Sequence, residues 1–185
     1  MTIPNMLTLA RIGLIPIFVV VYYLPATWAH AAAATLFAIG ALTDWLDGYL
    51  ARNLHQGTRF GTFLDPIADK LAVAVALVLV VGEMGAIYVT IPAAIIVGRE
   101  IIISGLREWM AEIGKRTSVS VVQLAKLKTV LQMLALILLL LYKEGYFWIE
   151  VSGVVLLYIA VLLTLWSMVM YLKAAWADLT LSTNK

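Results

Sequence analysis

The chain has 185 residues, of which 63% are hydrophobic and only 13% are charged, and its mean hydropathy is +0.98. A soluble domain of this length cannot bury so much apolar surface, so the composition predicts an integral membrane protein, and the net charge of +2 excludes little. The absence of cysteine excludes disulfides and a thiolate nucleophile, and the wide separation of the two histidines, His30 and His55, argues against a zinc site.

Six segments are apolar enough to form membrane-spanning helices, which need about 20 residues each. They are residues 6–25, 30–52, 60–82, 86–108, 120–142 and 149–173. The first segment resembles a signal-peptide core, but no basic residue precedes Ile3 and Arg11 lies inside it, so we predict a retained helix. The connections are short and no internal repeat is visible. We therefore predict an all-α integral membrane protein with six transmembrane helices.

The basic residues indicate how these helices are oriented. Lys and Arg are concentrated in the second and fourth connections and in the C-terminal tail, whereas the first and third connections have none and the fifth has only Lys143. Because positive residues favour the cytoplasmic side, both termini are predicted to be cytoplasmic. The residues on that side are Arg52, Arg59, Arg107, Lys115, Arg116, Lys126, Lys128, Lys173 and Lys185.

Four aspartates flank the second connection, in DWLDGYLARNLHQGTRFGTFLDPIADK (44–70). Asp44 and Asp47 are three residues apart and share one helix face, and Asp65 and Asp69 are four apart and share a face of the next helix. Antiparallel helices joined by a short loop can bring the four carboxylates together. Small residues on the same faces let the backbones approach closely and leave room for a ligand; these are Gly48, Ala51 and Gly61.

Four converging carboxylates would repel one another in a low-dielectric site unless divalent cations were bound. Oxygen ligands favour a hard ion such as Mg²⁺ or Mn²⁺. Pairs of such ions recur in enzymes that catalyse nucleophilic displacement at phosphorus. The aspartates therefore predict a phosphate-bearing substrate, with Arg52 placed to contact phosphate oxygens.

Other interpretations of the aspartates stay open at this point. Asp65, before Pro66, could cap a helix that has proline at its first position. The acids could serve an ion or proton transporter, although they cluster at one membrane face and no inverted repeat is visible. A structural membrane scaffold would leave the carboxylates unexplained.

The pattern Asp44-x₂-Asp47-Gly48-x₂-Ala51-Arg52-x₈-Gly61-x₃-Asp65-x₃-Asp69 resembles the signature of the CDP-alcohol phosphotransferases at every fixed position. The segments IPNMLTLARIGLIPIF and GREIIISGLREWMAEIGKRTSV, the latter followed by KLKTVLQMLAL, are similar to those of one bacterial branch, which makes phosphatidylglycerophosphate. The resemblance covers essentially the whole chain, so residues 1–185 are expected to form a single CDP-alcohol phosphotransferase membrane domain.

The resemblance implies transfer of the phosphatidyl group from CDP-diacylglycerol to sn-glycerol 3-phosphate, which gives phosphatidylglycerophosphate and CMP. It implies that the four aspartates hold two divalent ions, Mg²⁺ or Mn²⁺, and that Asp69 is also the general base. It implies CDP contacts from Asn5, Thr8, Gly48, Arg52 and Thr58. A homodimer among membrane lipids is expected, in the cytoplasmic (inner) membrane with its site facing the cytoplasm and with no nucleic-acid partner.

The signature does not identify the acceptor, because relatives also use inositol phosphate, serine or phosphatidylglycerol. Arg99 lies deep in the fourth span, where an unpaired charge is costly, and adjacent Glu100 is expected to point about 100° away. Arg107 lies two turns further on, and Lys126 and Lys128 begin the fifth span. These cations predict an acceptor-phosphate site, unless they form interhelical salt bridges. Glycerol 3-phosphate is favoured over inositol phosphate by whole-chain resemblance alone.

Arg11 has three possible roles in the first span. It could contact the donor diphosphate, contact anionic headgroups, or snorkel to the membrane surface. Its sequence position does not decide between them.

Overall fold

The computed structural model describes residues 3–54, 59–112, 122–143 and 146–181, and in these ranges it contains six α-helices and no strand. Each helix overlaps one predicted span, so the all-α prediction is confirmed. The helices are α1 (Ile3–Tyr22), α2 (Ala29–Leu54), α3 (Arg59–Met84), α4 (Ile87–Glu112), α5 (Val122–Leu140) and α6 (Phe147–Leu181).

Several helices continue beyond the apolar segments from which they were predicted. Helix α4 continues to Glu112 and α6 to Leu181, whereas their spans were predicted to end at residues 108 and 173; Arg107 and Lys128 lie inside α4 and α5, as the predicted spans place them. Basic residues have good helix propensity, so a helix that leaves an apolar layer does not have to end where its hydrophobic residues end. The cationic residues are consequently fixed on helices rather than carried on loops.

Two helices in the described part of the chain are long and apolar enough to cross a membrane: α4, and residues Phe147–Lys173 of α6. Shorter apolar stretches lie in α1 (Met6–Tyr22), α2 (Ala29–Thr43) and α5 (Leu127–Leu140). These helices indicate a membrane protein.

The bundle has an apolar half and a polar half. Helix α3 packs against α1, α2, α4 and α5, and α5 also packs against α2 and α6. The core lies between the end of α1 and the start of α4, where Phe18, Phe37, Leu77 and Ile96 are buried together. Buried polar residues lie toward the opposite half; they are Thr8, Arg11, Arg99, Gln132, Thr164 and Ser167.

Asp65 does not cap a helix, and that alternative from the sequence is wrong. Helix α3 already begins at Arg59, so Asp65 and Pro66 lie within it. A proline inside a helix removes one backbone hydrogen bond, which membrane helices tolerate when neighbouring groups satisfy the freed carbonyl. Asp65 and Asp69 are therefore carried by one continuous helix.

Helix α6 approaches α5 closely at Gly153, where an added Cβ would lie 2.8 Å from Cγ and Cδ2 of Leu139. Because Leu139 is buried in the core, Gly153→Ala is expected to destabilise the fold by about 1–3 kcal/mol through overpacking. Thermal unfolding in detergent measures this effect. Gly82→Ala is the matched control, since its Cβ would meet nothing within 4 Å. Equal unfolding temperatures for the two variants would contradict the prediction.

Candidate active site

The backbone places the four aspartates at matching heights on two packed helices. Asp44 lies ten residues before the end of α2, and Asp69 lies ten residues after the start of α3. Asp47 and Asp65 lie seven and six residues from the same two ends. Helices α2 and α3 are in contact, and the two pairs of aspartates lie at similar distances, counted along the chain, from the facing ends of the two helices.

Asp69 forms an ion pair with Arg11 of α1. Arg11 Nη1 donates to Asp69 Oδ1 at 2.5 Å, and the Arg11 side chain is 4% exposed whereas that of Asp69 is 42% exposed. A buried guanidinium requires a compensating negative charge, which Asp69 provides. The ion pair fixes one carboxylate oxygen on a side chain that remains accessible from outside the bundle.

This contact excludes one of the three roles considered for Arg11. Its burial rules out snorkelling to the membrane surface, and that alternative is wrong. The sequence indicated that Arg11 has an acidic partner, because an arginine within an apolar helix generally pairs with an acid. The aspartates of α2 and α3 were the candidates. The sequence alone could not predict which of the four aspartates pairs with Arg11.

Thr8 and Arg11 are three residues apart on α1 and both are buried. Gly61 of α3 is buried as well. Thr58 lies outside the described residues. For seven further site residues the structure describes the helical backbone but not the side chain, so the convergence of their side chains stays a prediction. These residues are Asn5, Asp44, Asp47, Gly48, Arg52, Asp65 and Lys126.

Arg99 lies in a second polar cluster, between α4 and α6, and is 5% exposed. Its Nη1 pairs with Glu100 Oε1 at 2.9 Å, and its Nη2 donates to Thr164 Oγ1 at 3.2 Å. The expectation that Glu100 points away from Arg99 is wrong, because two long side chains on adjacent residues can bend toward each other. Within the described residues, the buried Nε–H of Arg99 has no hydrogen-bond partner.

Arg107 and Lys128 belong to the same cluster. Arg107 Nη2 donates to the Tyr171 hydroxyl at 3.3 Å, and its guanidinium carbon lies 5.3 Å from the centroid of that ring. Lys128 lies within electrostatic range of Arg99, Glu100 and Arg107. Among the described residues this group contains three cations and one carboxylate, and such an excess of positive charge suits an anion.

Hydrogen bonds of Ser104 link α3, next to Asp69, to α4, next to Arg99. Lys70, the neighbour of Asp69, donates from Nζ to Ser104 Oγ. Ser104 in turn donates to the backbone carbonyl of Glu100 at 2.5 Å. The stretch of α3 that carries Asp69 is thus linked to the stretch of α4 that carries Arg99 and Glu100.

Sequence reasoning missed the residues of α6 that contact the arginines. Thr164 and Tyr171 are seven residues apart and lie on one helix face, with Ser167 between them. A polar stripe on an otherwise apolar helix was the available signal. It was overlooked because single hydroxyls are common in membrane helices.

These features define a class: an all-helical membrane protein in which the Arg11–Asp69 ion pair and a buried guanidinium cluster lie on neighbouring helices. The sequence pattern of the CDP-alcohol phosphatidyltransferase family matches residues 1–171, so the chain belongs to that family, whose members generally use divalent metal ions. It is 56% identical over 177 residues, covering 96% of each chain, to a protein of Escherichia coli (strain K12). Proteins of Escherichia coli O157:H7 and Shigella sonnei (strain Ss046) show the same identity and coverage. All three are named CDP-diacylglycerol--glycerol-3-phosphate 3-phosphatidyltransferase.

Proposed function

We propose that this chain transfers the phosphatidyl group of CDP-diacylglycerol to sn-glycerol 3-phosphate, forming phosphatidylglycerophosphate and CMP. The observation that carries the proposal is the 56% identity across 96% of the chain to proteins named for that reaction. The excess of cations beside the carboxylate-bearing helices supports an acceptor that carries its own phosphate.

We also propose that all six helices cross the cytoplasmic (inner) membrane, with both termini and the polar region on the cytoplasmic side. Large apolar side chains project outward from several helices, as a lipid-facing surface requires; examples are Ile17, Val78, Ile101, Leu162 and Trp166. At the opposite end, Tyr146, Phe147 and Trp148 are exposed together, as at a membrane interface. The family resemblance favours a homodimer.

The divalent ions would be held by Asp44, Asp47, Asp65 and Asp69, which offer only oxygen ligands, as Mg²⁺ and Mn²⁺ prefer. Asp69 fits this role because its carboxylate is fixed by Arg11 on one oxygen yet 42% exposed. When bound, the ions neutralise the diphosphate oxygens and make CMP a better leaving group.

In the proposed reaction, Asp69 accepts the proton of the attacking acceptor hydroxyl. The oxygen of that hydroxyl forms a bond to the phosphorus of the phosphatidyl group, and the diphosphate bond to CMP breaks. Direct displacement requires no covalent intermediate with the enzyme, provided that the reactants are held in line. Asn5, Thr8, Gly48, Arg52 and Thr58 would bind the CDP moiety and hold it in place.

The acceptor phosphate would be bound by the cationic cluster. Arg99 fits because its buried Nε–H lacks a partner within the described residues and can donate to a phosphate oxygen. Arg107 and Lys128 add positive charge nearby, and Lys126 is proposed as a fourth cation. The same chemistry with inositol phosphate is the alternative acceptor, and an ion or proton transporter is the alternative class.

An acceptor assay tests the proposal. Purified chain in mixed micelles receives CDP-diacylglycerol and Mg²⁺ with glycerol 3-phosphate, inositol phosphate or serine, and CMP and new lipid are measured. We expect both products with glycerol 3-phosphate. Turnover with inositol phosphate alone would overturn the acceptor, and no CMP release with any alcohol would overturn the transferase.

A further inference from the structure

Helix α6 presents polar groups to both arginines of the cationic cluster. Thr164 is 0% exposed, and its Oγ1 accepts from Arg99 Nη2 at 3.2 Å. Tyr171 contacts Arg107 with its hydroxyl at 3.3 Å, and its ring face lies beside the guanidinium, whose carbon is 5.3 Å from the centroid. Each arginine is therefore held by one side chain of the same helix face.

The register of α4 and α6 makes this arrangement possible. The two helices run parallel, because Tyr88 near the start of α4 donates to Glu150 near the start of α6 at 2.5 Å, and Arg99 and Arg107 meet α6 progressively further along. Arg99 and Arg107 are eight residues apart on α4, and their partners are seven apart on α6. Helices α4 and α6 therefore stay side by side over roughly five turns.

The contacts leave N–H groups of Arg99 for a ligand. Nη1 has one partner in Glu100 and Nη2 has one in Thr164, so each has a second N–H to donate, and the buried Nε–H has no partner within the described residues. A buried donor without an acceptor is unfavourable, and a bound oxygen would remove that cost. Thr164 thus fixes the guanidinium with Nε–H available.

We propose that Thr164 and Tyr171 are positioning residues of the acceptor site, which orient Arg99 and Arg107 toward the acceptor phosphate before it binds. This inference rests on the proposed function. Holding an arginine in one rotamer costs side-chain entropy, so an enzyme whose arginines are already ordered binds a phosphate more tightly. Neither residue touches the reacting atoms, so the effect falls on acceptor binding rather than on the chemical step.

The test uses the full chain in mixed micelles and measures the KM of glycerol 3-phosphate and of CDP-diacylglycerol separately, together with kcat and thermal unfolding. Thr164→Val keeps the shape and removes the hydroxyl, and we expect it to raise the acceptor KM about tenfold with the donor KM within about twofold. Thr164→Ser restores the hydroxyl and should return the acceptor KM to near its original value.

Tyr171 offers a graded pair of variants. Tyr171→Phe keeps the ring beside Arg107 and removes the hydroxyl, whereas Tyr171→Leu removes both contacts. We expect the acceptor KM to rise about threefold for the first and about tenfold for the second. Ser167→Ala is the matched control on the same face, because Ser167 Oγ donates to the Thr164 carbonyl of its own helix at 2.8 Å, and neither KM should change.

Unchanged acceptor KM values for Thr164→Val and Tyr171→Leu would overturn the inference. An equal rise of both KM values, or no restoration by Thr164→Ser, would show a general disturbance of packing and would overturn it as well. These failures leave the proposed function standing if the wild-type chain still uses glycerol 3-phosphate. Lack of turnover by the wild-type chain would remove the proposed function and this inference together.

Discussion

Asp69→Asn is expected to lower kcat at least about 100-fold, because an amide cannot accept the proton of the attacking hydroxyl. CDP-diacylglycerol binding should be largely retained. The substitution also removes the negative charge that Arg11 Nη1 contacts at 2.5 Å, so the unfolding temperature should fall too. Turnover and thermal unfolding, measured on the same preparation, report these two effects.

A double variant separates the catalytic effect from the structural one. Arg11→Leu combined with Asp69→Asn removes both charges, so the unfolding temperature should recover relative to Asp69→Asn alone. Turnover should stay low if Asp69 acts as the base. Recovery of turnover in the double variant would show that Asp69 serves only as the partner of Arg11.

Arg99→Ala is expected to raise the KM of glycerol 3-phosphate by about tenfold to a hundredfold, because the acceptor phosphate loses a charged hydrogen-bond donor. The donor KM should change little, since CDP-diacylglycerol is assigned to the aspartate cluster. Initial rates over a matrix of both substrate concentrations give the two values.

Glu100→Gln is the matched control for Arg99→Ala. It removes the carboxylate that pairs with Arg99 and leaves the guanidinium in place. Its acceptor KM should stay within about threefold of wild type, because the glutamine amide oxygen can still accept from Arg99 Nη1 and hold the guanidinium in place. A normal acceptor KM for Arg99→Ala, or the same rise for Glu100→Gln, would indicate that Arg99 is only a structural ion-pair partner.

The helices could be predicted because each is an apolar segment bounded by turn residues or charges, and all six overlap the predicted spans. The residues at which the helices end were less predictable. Helices α4 and α6 continue to Glu112 and Leu181, past the predicted ends at residues 108 and 173, because the loss of hydrophobic residues marks the end of an apolar layer rather than the end of a helix. Family membership was also predictable, since the spacing of the aspartates is a long motif and the family match covers residues 1–171.

Contacts between distant helices could not be predicted from the sequence. Arg11 and Asp69 are 58 residues apart, and Arg99 and Thr164 are 65 apart, so only the packing of the bundle brings them together. The side-chain direction of Glu100 was also mispredicted, because helical geometry fixes where Cβ points but not where a long side chain ends. The structure therefore identifies the contact partners of the charged residues, which the sequence could not predict.

Mn²⁺ binding measured by electron paramagnetic resonance tests the central claim most directly, namely that the aspartates hold divalent ions on the donor. Wild-type chain in CDP-diacylglycerol micelles should bind about two Mn²⁺ ions more than the same micelles without protein. The Asp44→Asn/Asp47→Asn variant should lose that binding. No Mn²⁺ beyond the protein-free micelles, or undiminished binding by the variant, would contradict the account.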